Sequence, residues 1–125
     1  MAPHHRVIGI DNRGHGRTTR DARPYDYDLM ADDIIALMDG LKIRKADIVG
    51  WSDGGIIGLD LAIRHPGRVG KIFAFAANTQ TSGVIDGVEK SPTFAAYIDR
   101  AGGECRKYSA TPKDYDVFVE QISKM

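Results

Sequence analysis

The chain has 125 residues, enough for one domain and one modest core, and its 17 Lys and Arg are balanced by 17 Asp and Glu. That neutrality removes the electrostatic footprint expected of a nucleic-acid or anionic-membrane binder. The lone Cys105 excludes an intrachain disulfide and a thiol pair for zinc or redox chemistry; with no apolar signal region after Met1 and no run near the ~18 apolar residues of a membrane span, the chain reads as soluble and cytoplasmic.

Val7 to Ile10, "VIGI", is a short apolar run ending on Asp11 and the turn-rich "DNRGHGRTTRDARP", which predicts a buried strand followed by a loop. In that loop Arg13, Arg17, Arg20 and Arg23 interleave with Asp11, Asp21, Asp26 and Asp28, the composition of a solvated segment rather than of a basic patch. From Asp28 the pattern becomes helical, with Met30, Ile34, Leu37, Met38 and Leu41 on one face, Asp26 or Asp28 as cap, and Gly40 near the end.

Ala46 to Gly50 is the second expected strand. Gly54 to Arg64, polar only at Asp60 and Arg64 and stopped by Pro66, predicts a helix buried on most sides, and Lys71 to Ala76 a third strand. Strand, helix, strand, helix, strand at these separations predicts parallel βαβ units and an α/β fold. Beyond Asn78 a polar loop leads to a helix opened by Ser91 and Pro92 and closed at Gly102 and Gly103, then to another opened by Thr111 and Pro112 and carrying Tyr115, Phe118, Val119 and Ile122.

Between the second strand and its helix stands Gly50-Trp51-Ser52-Asp53-Gly54, a G-x-S-x-G sequence in the strand-turn-helix context that makes it a nucleophile elbow. A turn this sharp strains the central residue and lifts its side chain clear of the sheet. Glycines two positions to either side, Gly50 and Gly54, keep the crossing chain uncrowded. The helix start aims unpaired N–H groups at the serine oxygen, so an oxyanion there is stabilised, with the Asp53 N–H as one donor. Ser52 is the candidate nucleophile.

These residues resemble the α/β-hydrolase family, and the resemblance extends past the elbow. Asp11-Asn12-Arg13-Gly14-His15-Gly16-Arg17-Thr18 is similar to the D-x-R-G-x-G-x-S loop after the family's fourth strand, with Thr18 where serine is commoner. Arg64-His65-Pro66 with Arg68-Val69 resembles the exit from the elbow helix. The likeness covers about Arg6 to Asn78 and implies a partial α/β-hydrolase fold. That fold has a mainly parallel sheet of about three strands with flanking helices (residues 1–78), followed by a helical cap or lid fragment (79–125). The subset that fits cleaves ester-like small-molecule acyl substrates through a serine and an acyl-enzyme.

In that family the triad runs Ser, then Asp or Glu, then His. No histidine follows His65, and His65 itself should lie ~15 Å from Ser52 at the far end of the helix. His15 reads as a loop residue, Trp51 as a packed aromatic, and His4 with His5 lack companions at metal-ligand spacing. None of Asp86, Asp99, Asp114 and Asp116 follows a strand like the one that carries the family's acid. The chain thus reads as incomplete at both ends and inactive in isolation, since loss of the histidine alone costs about 2 × 10⁶ in turnover in a well-studied serine hydrolase. The alternative is a non-catalytic, truncated hydrolase-like chain that acts by binding or assembly. No metal, nucleotide or flavin site is expected, and exposed sheet edges are expected to favour self-association.

Overall fold

A computed structural model describes residues 3–125. The extended Asp26 accepts the Leu29 N–H through Oδ1 at 2.6 Å and so starts helix α1, Tyr27–Gly40. Met30, Ala31, Ile34 and Met38 form its buried stripe. The left-handed residue that closes this helix is Lys42 at φ 56°, which lets the Ile43 N–H reach back to the Met38 carbonyl at 2.7 Å.

Strand β1, Ala46–Trp51, leads through Ser52 into helix α2, Asp53–Arg64, and the chain returns as strand β2, Val69–Phe75. The two strands pair in parallel, with Val49 opposite Phe73 and Trp51 opposite Phe75, as a helical crossover demands. β1 runs one residue past its expected end, while β2 starts two residues before Lys71 and stops one short of Ala76. Ile57 and Leu61 of α2 close on α1 and on Val69, with Ile48 and Ile72 against them, and this wedge between two helices and one sheet face is the core.

The sheet has two strands among the described residues, where about three were expected. Val7 to Ile10 is not a strand, and Val7, Ile8 and Ile10 all stand exposed. A strand exists only through its ladder, and among the described residues no strand pairs with this segment to supply one. For a similar reason α2 is buried along one face rather than on most sides: Gly55, Ile57, Gly58 and Leu61 face inward, while Ile63 is 78% exposed. The outer face of the sheet is also bare, with Val49 60%, Trp51 57%, Phe73 64% and Phe75 60% exposed.

The arginine-rich loop is not uniformly solvated. Arg13 is buried and grips Asp33 of α1 with two hydrogen bonds, Nε to Oδ2 at 2.8 Å and Nη2 to Oδ1 at 2.7 Å, while its Nη1 meets Asp21 at 2.9 Å. A forked guanidinium between two carboxylates satisfies itself away from water, which composition alone could not disclose. Arg20 reaches the other way, to Gln121 at 2.7 Å and Asp114 at 3.3 Å.

After single 3₁₀ turns at Thr81–Gly83 and Val88–Lys90, helix α3 runs Pro92–Tyr108, straight through the glycines expected to end it. Gly102 is buried there because a Cβ would stand 3.0 Å from the Tyr115 hydroxyl: the glycine makes room for a neighbouring ring, not for a turn. Arg106, one turn on, lies over the same ring at 5.3 Å. Thr111 and Pro112 open a 3₁₀ turn, Pro112–Asp114, and then helix α4, Tyr115–Ile122.

Candidate functional site at the strand-to-helix turn

Ser52 joins β1 to α2 with φ 52° and ψ −123°. A side chain with a Cβ avoids that region, and holding it there costs about 1–3 kcal/mol, so the surrounding chain must enforce it. Two contacts do. The Ser52 N–H donates to the Phe75 carbonyl at 2.9 Å, extending the ladder to the last possible residue. Its carbonyl then accepts the N–H groups of Gly55 at 2.8 Å and Ile56 at 3.1 Å, already turning as a helix. The backbone therefore passes from strand to helix within one residue, and the Ser52 side chain is left exposed with no capping bond.

Of the two glycines expected to be crowded behind the turn, Gly50 is and Gly54 is not. A Cβ on Gly50 would overlap the Gly54 carbonyl and crowd the Gly55 nitrogen, so this position accepts no side chain. Gly54 has open space around its own Cβ direction. Gly55 carries the second constraint, with Ala77 Cβ 2.8 Å from where its Cβ would be. Its signal in the sequence was the doubled glycine after Asp53.

At the start of α2 the N–H groups of Asp53 and Gly54 have no backbone acceptor among the described residues, which leaves two donors and the positive helix end beside Ser52. The Asp53 carboxylate is held away from them, since Oδ1 accepts the Tyr27 hydroxyl at 2.9 Å. Burial, and then this bond to an anion, push the Tyr27 phenol up to about 12. Tyr27 was not picked out from sequence, because nothing in a helix's first residue marks it as the partner of a residue 26 positions on.

Trp51 meets the Tyr97 ring of α3 edge-on at 5.8 Å while remaining exposed on its other side. His15 places Nδ1 3.0 Å from the Arg13 carbonyl and its ring against Phe118, so it is held in its loop. His65 sits just past the end of α2, with Nε2 buried, without a hydrogen bond, and 3.7 Å from Asp32. His4 and His5 are exposed. Among the described residues no group of three or more His, Cys, Asp and Glu side chains could hold a metal, and no helix is long and apolar enough to cross a membrane. Two open depressions of about 400 and 370 Å³ lie by Arg68 and by the Arg13 loop, and neither includes Ser52.

Residues 1–98 match the family model described as the alpha/beta hydrolase fold. Serine hydrolase BPHL of Homo sapiens is 38% identical over 129 aligned positions, covering 94% of this chain and 40% of that protein. The 2-hydroxymuconate semialdehyde hydrolase of a Pseudomonas species is 36% identical over 100 residues, covering 76% of this chain and 35% of its own length. Among solved structures, Est816, titled an N-acyl homoserine lactone degrading enzyme, superposes with a TM-score of 0.59 at 30% identity, over 91% of this chain and 46% of that one. The chain thus spans between about a quarter and two fifths of the length of curated relatives such as these. With the family model covering most of its length, the chain belongs to the alpha/beta hydrolase family.

Proposed function

We propose that Ser52 is the nucleophile of a hydrolase acting on ester-like acyl substrates. The observation that carries this reading is the backbone of Ser52, strained at φ 52° between a strand and a helix whose first N–H groups are unpaired. In the proposed reaction Ser52 Oγ bonds to the acyl carbon as its proton passes to a base. The Asp53 N–H holds the oxyanion, the leaving alkoxide departs with a proton, and water then releases the acyl group. The similarity to a protein named 2-hydroxymuconate semialdehyde hydrolase, and to one named as an N-acyl homoserine lactone degrading enzyme, supports carbonyl-carbon chemistry of this kind. Residues 79–125 serve in this reading as the beginning of a lid, and Tyr97 against Trp51 supports their approach to the site.

Among the described residues no side chain, histidine included, hydrogen-bonds to the Ser52 hydroxyl to serve as that base. His65 lies beyond the opposite end of the 12-residue helix α2. Turnover of a simple aryl ester by the purified 125-residue chain is therefore expected at background and unchanged by Ser52→Ala. A fluorophosphonate probe, which reports a serine activated by a base, is expected to label Ser52 only in a form of the protein that supplies that base, and never Ser52→Ala. Labelling that persists in Ser52→Ala would remove Ser52 as the nucleophile. Ester turnover abolished by Ser52→Ala would instead overturn the expected inactivity and, with it, the non-catalytic alternative, which the lack of a base favours.

A further inference from the structure

We propose that Tyr27, at the head of α1, is a positioning residue for the hydrolytic site: by holding the Asp53 carboxylate it keeps that charge off the N–H groups where an oxyanion would form. The role rests on Ser52 being the nucleophile and adds a side chain from another helix that touches no substrate. Tyr27 and Asp53 stand 26 residues apart in the chain, and one hydrogen bond joins them.

The residue after Ser52 carries two opposed groups. Its N–H is one of two at the start of α2, with that of Gly54, that meet no backbone acceptor among the described residues, and the Ser52 side chain does not cap them. Its side chain is an anion in the first turn of the helix, where unpaired donors and the positive helix end attract negative charge. That attraction stabilises a helix but opposes the site. A carboxylate drawn onto those donors occupies the place an oxyanion needs, and its charge repels the charge that develops there.

Tyr27 resolves the conflict. Its hydroxyl donates to Asp53 Oδ1 at 2.9 Å, and this is the one side-chain partner of Asp53 among the described residues. The ring is half-buried and carried by the first residue of α1, directly after the Asp26 cap, so the hydroxyl is presented from ordered backbone. Burial and the neighbouring anion push the phenol up to about 12, so it stays protonated, and a donor, throughout the neutral range. A neutral donor draws the carboxylate aside without placing a cation beside the reacting oxygen. Phenylalanine at this position keeps the ring and loses only the tie.

Amide hydrogen exchange with water, read by NMR on the 125-residue chain, is the test. Base-catalysed exchange passes through an amide anion, so its rate senses the same local field that an oxyanion does. Tyr27→Phe is expected to slow exchange at the Asp53 and Gly54 N–H groups about threefold, as the released carboxylate approaches them. On an Asp53→Asn background, with no charge to release, the same substitution should leave both rates unchanged. A tie that merely braces the turn predicts the opposite sign, because loosening speeds exchange, and does so on both backgrounds. Faster or unchanged exchange in Tyr27→Phe therefore overturns the proposal. Should Tyr27→Phe fail to fold, Asp53→Asn decides alone. After correction for the intrinsic rate of asparagine it should change the two rates by less than about twofold, and a larger acceleration would mean that the carboxylate already lies on the donors. In a form of the protein that supplies the base, Tyr27→Phe should lower kcat for an aryl ester by about threefold with KM unchanged, and an equal kcat overturns the role. Failure of the Ser52 reading gives a different signal: fluorophosphonate labelling that persists in Ser52→Ala removes the reaction that Tyr27 would serve, whatever the exchange rates.

Discussion

The chain contains two nearly identical apolar runs, "VIGI" at Val7 to Ile10 and "IVGW" at Ile48 to Trp51, and they meet opposite fates. Each has a pair of β-branched residues, a glycine and a large apolar residue, and each ends close to an aspartate. The second is the body of a strand, packed on α2 through Ile48 and Gly50 and paired with β2 along its length. The first pairs with no other strand among the described residues, and its side chains are exposed. β-Propensity describes fit to a half-buried pleated surface, so the same four-residue pattern becomes a strand only where a neighbour offers its edge and a helix covers one face. The difference lies in what surrounds the two runs.

Equivalent glycines break the comparison most sharply. Gly50→Ala pushes a methyl into the Gly54 carbonyl, a backbone atom that cannot move without undoing the elbow, and should cost about 3 kcal/mol or more. Gly9→Ala meets no atom within 4 Å and should leave the urea midpoint unchanged. The isoleucines give the next effect. Ile48→Ala removes methyl groups packed under α2 and should cost about 2 kcal/mol, whereas Ile8→Ala at an exposed position should stay within about 0.5 kcal/mol. Chemical denaturation of the four variants measures both contrasts. Equal losses at Gly9 and Gly50 would mean that the first run is ordered against something in solution.

What could be read in advance follows from the same physics. The βαβ unit around Ser52 was legible because its determinants are local: a strand-length apolar run, a glycine-framed serine and a helix of fixed period lie within about twenty residues of one another. The strand at Val7 was misread because pairing is not a property of the run itself. Gly102 and Gly103 were misread as a stop because glycine also serves close packing, and the ring that needs the space, Tyr115, belongs to another helix. The burial of Arg13 depends on Asp33, 20 residues on, and the Tyr27 bond on Asp53, 26 residues on. Spacing along the chain does not encode such partnerships.

The smallest expected effect concerns how each run is tied down at its aspartate. Asp11, after the first run, accepts the Arg17 N–H at 3.1 Å and lies 3.8 Å from the Arg17 Nε, all within an exposed loop, while Asp53, after the second, is held by the Tyr27 hydroxyl from α1. Tyr27→Phe removes that tie at a partly exposed site and should cost about 0.5 to 1 kcal/mol near neutral pH. Its pH dependence is more telling. The folded chain keeps the Tyr27 proton to about 12, against 10.0 for an unperturbed phenol, so between those values the native state binds more proton than the unfolded one. The contribution of Tyr27 to stability is therefore complete below pH 10 and drains away as pH rises toward 12. Tyr27→Phe should flatten that part of the stability profile in urea titrations between about pH 9 and 12. A wild-type profile as flat as that of the variant would mean that the α1 tie to Asp53 is absent in solution, and that the elbow is held by β1, α2 and β2 alone.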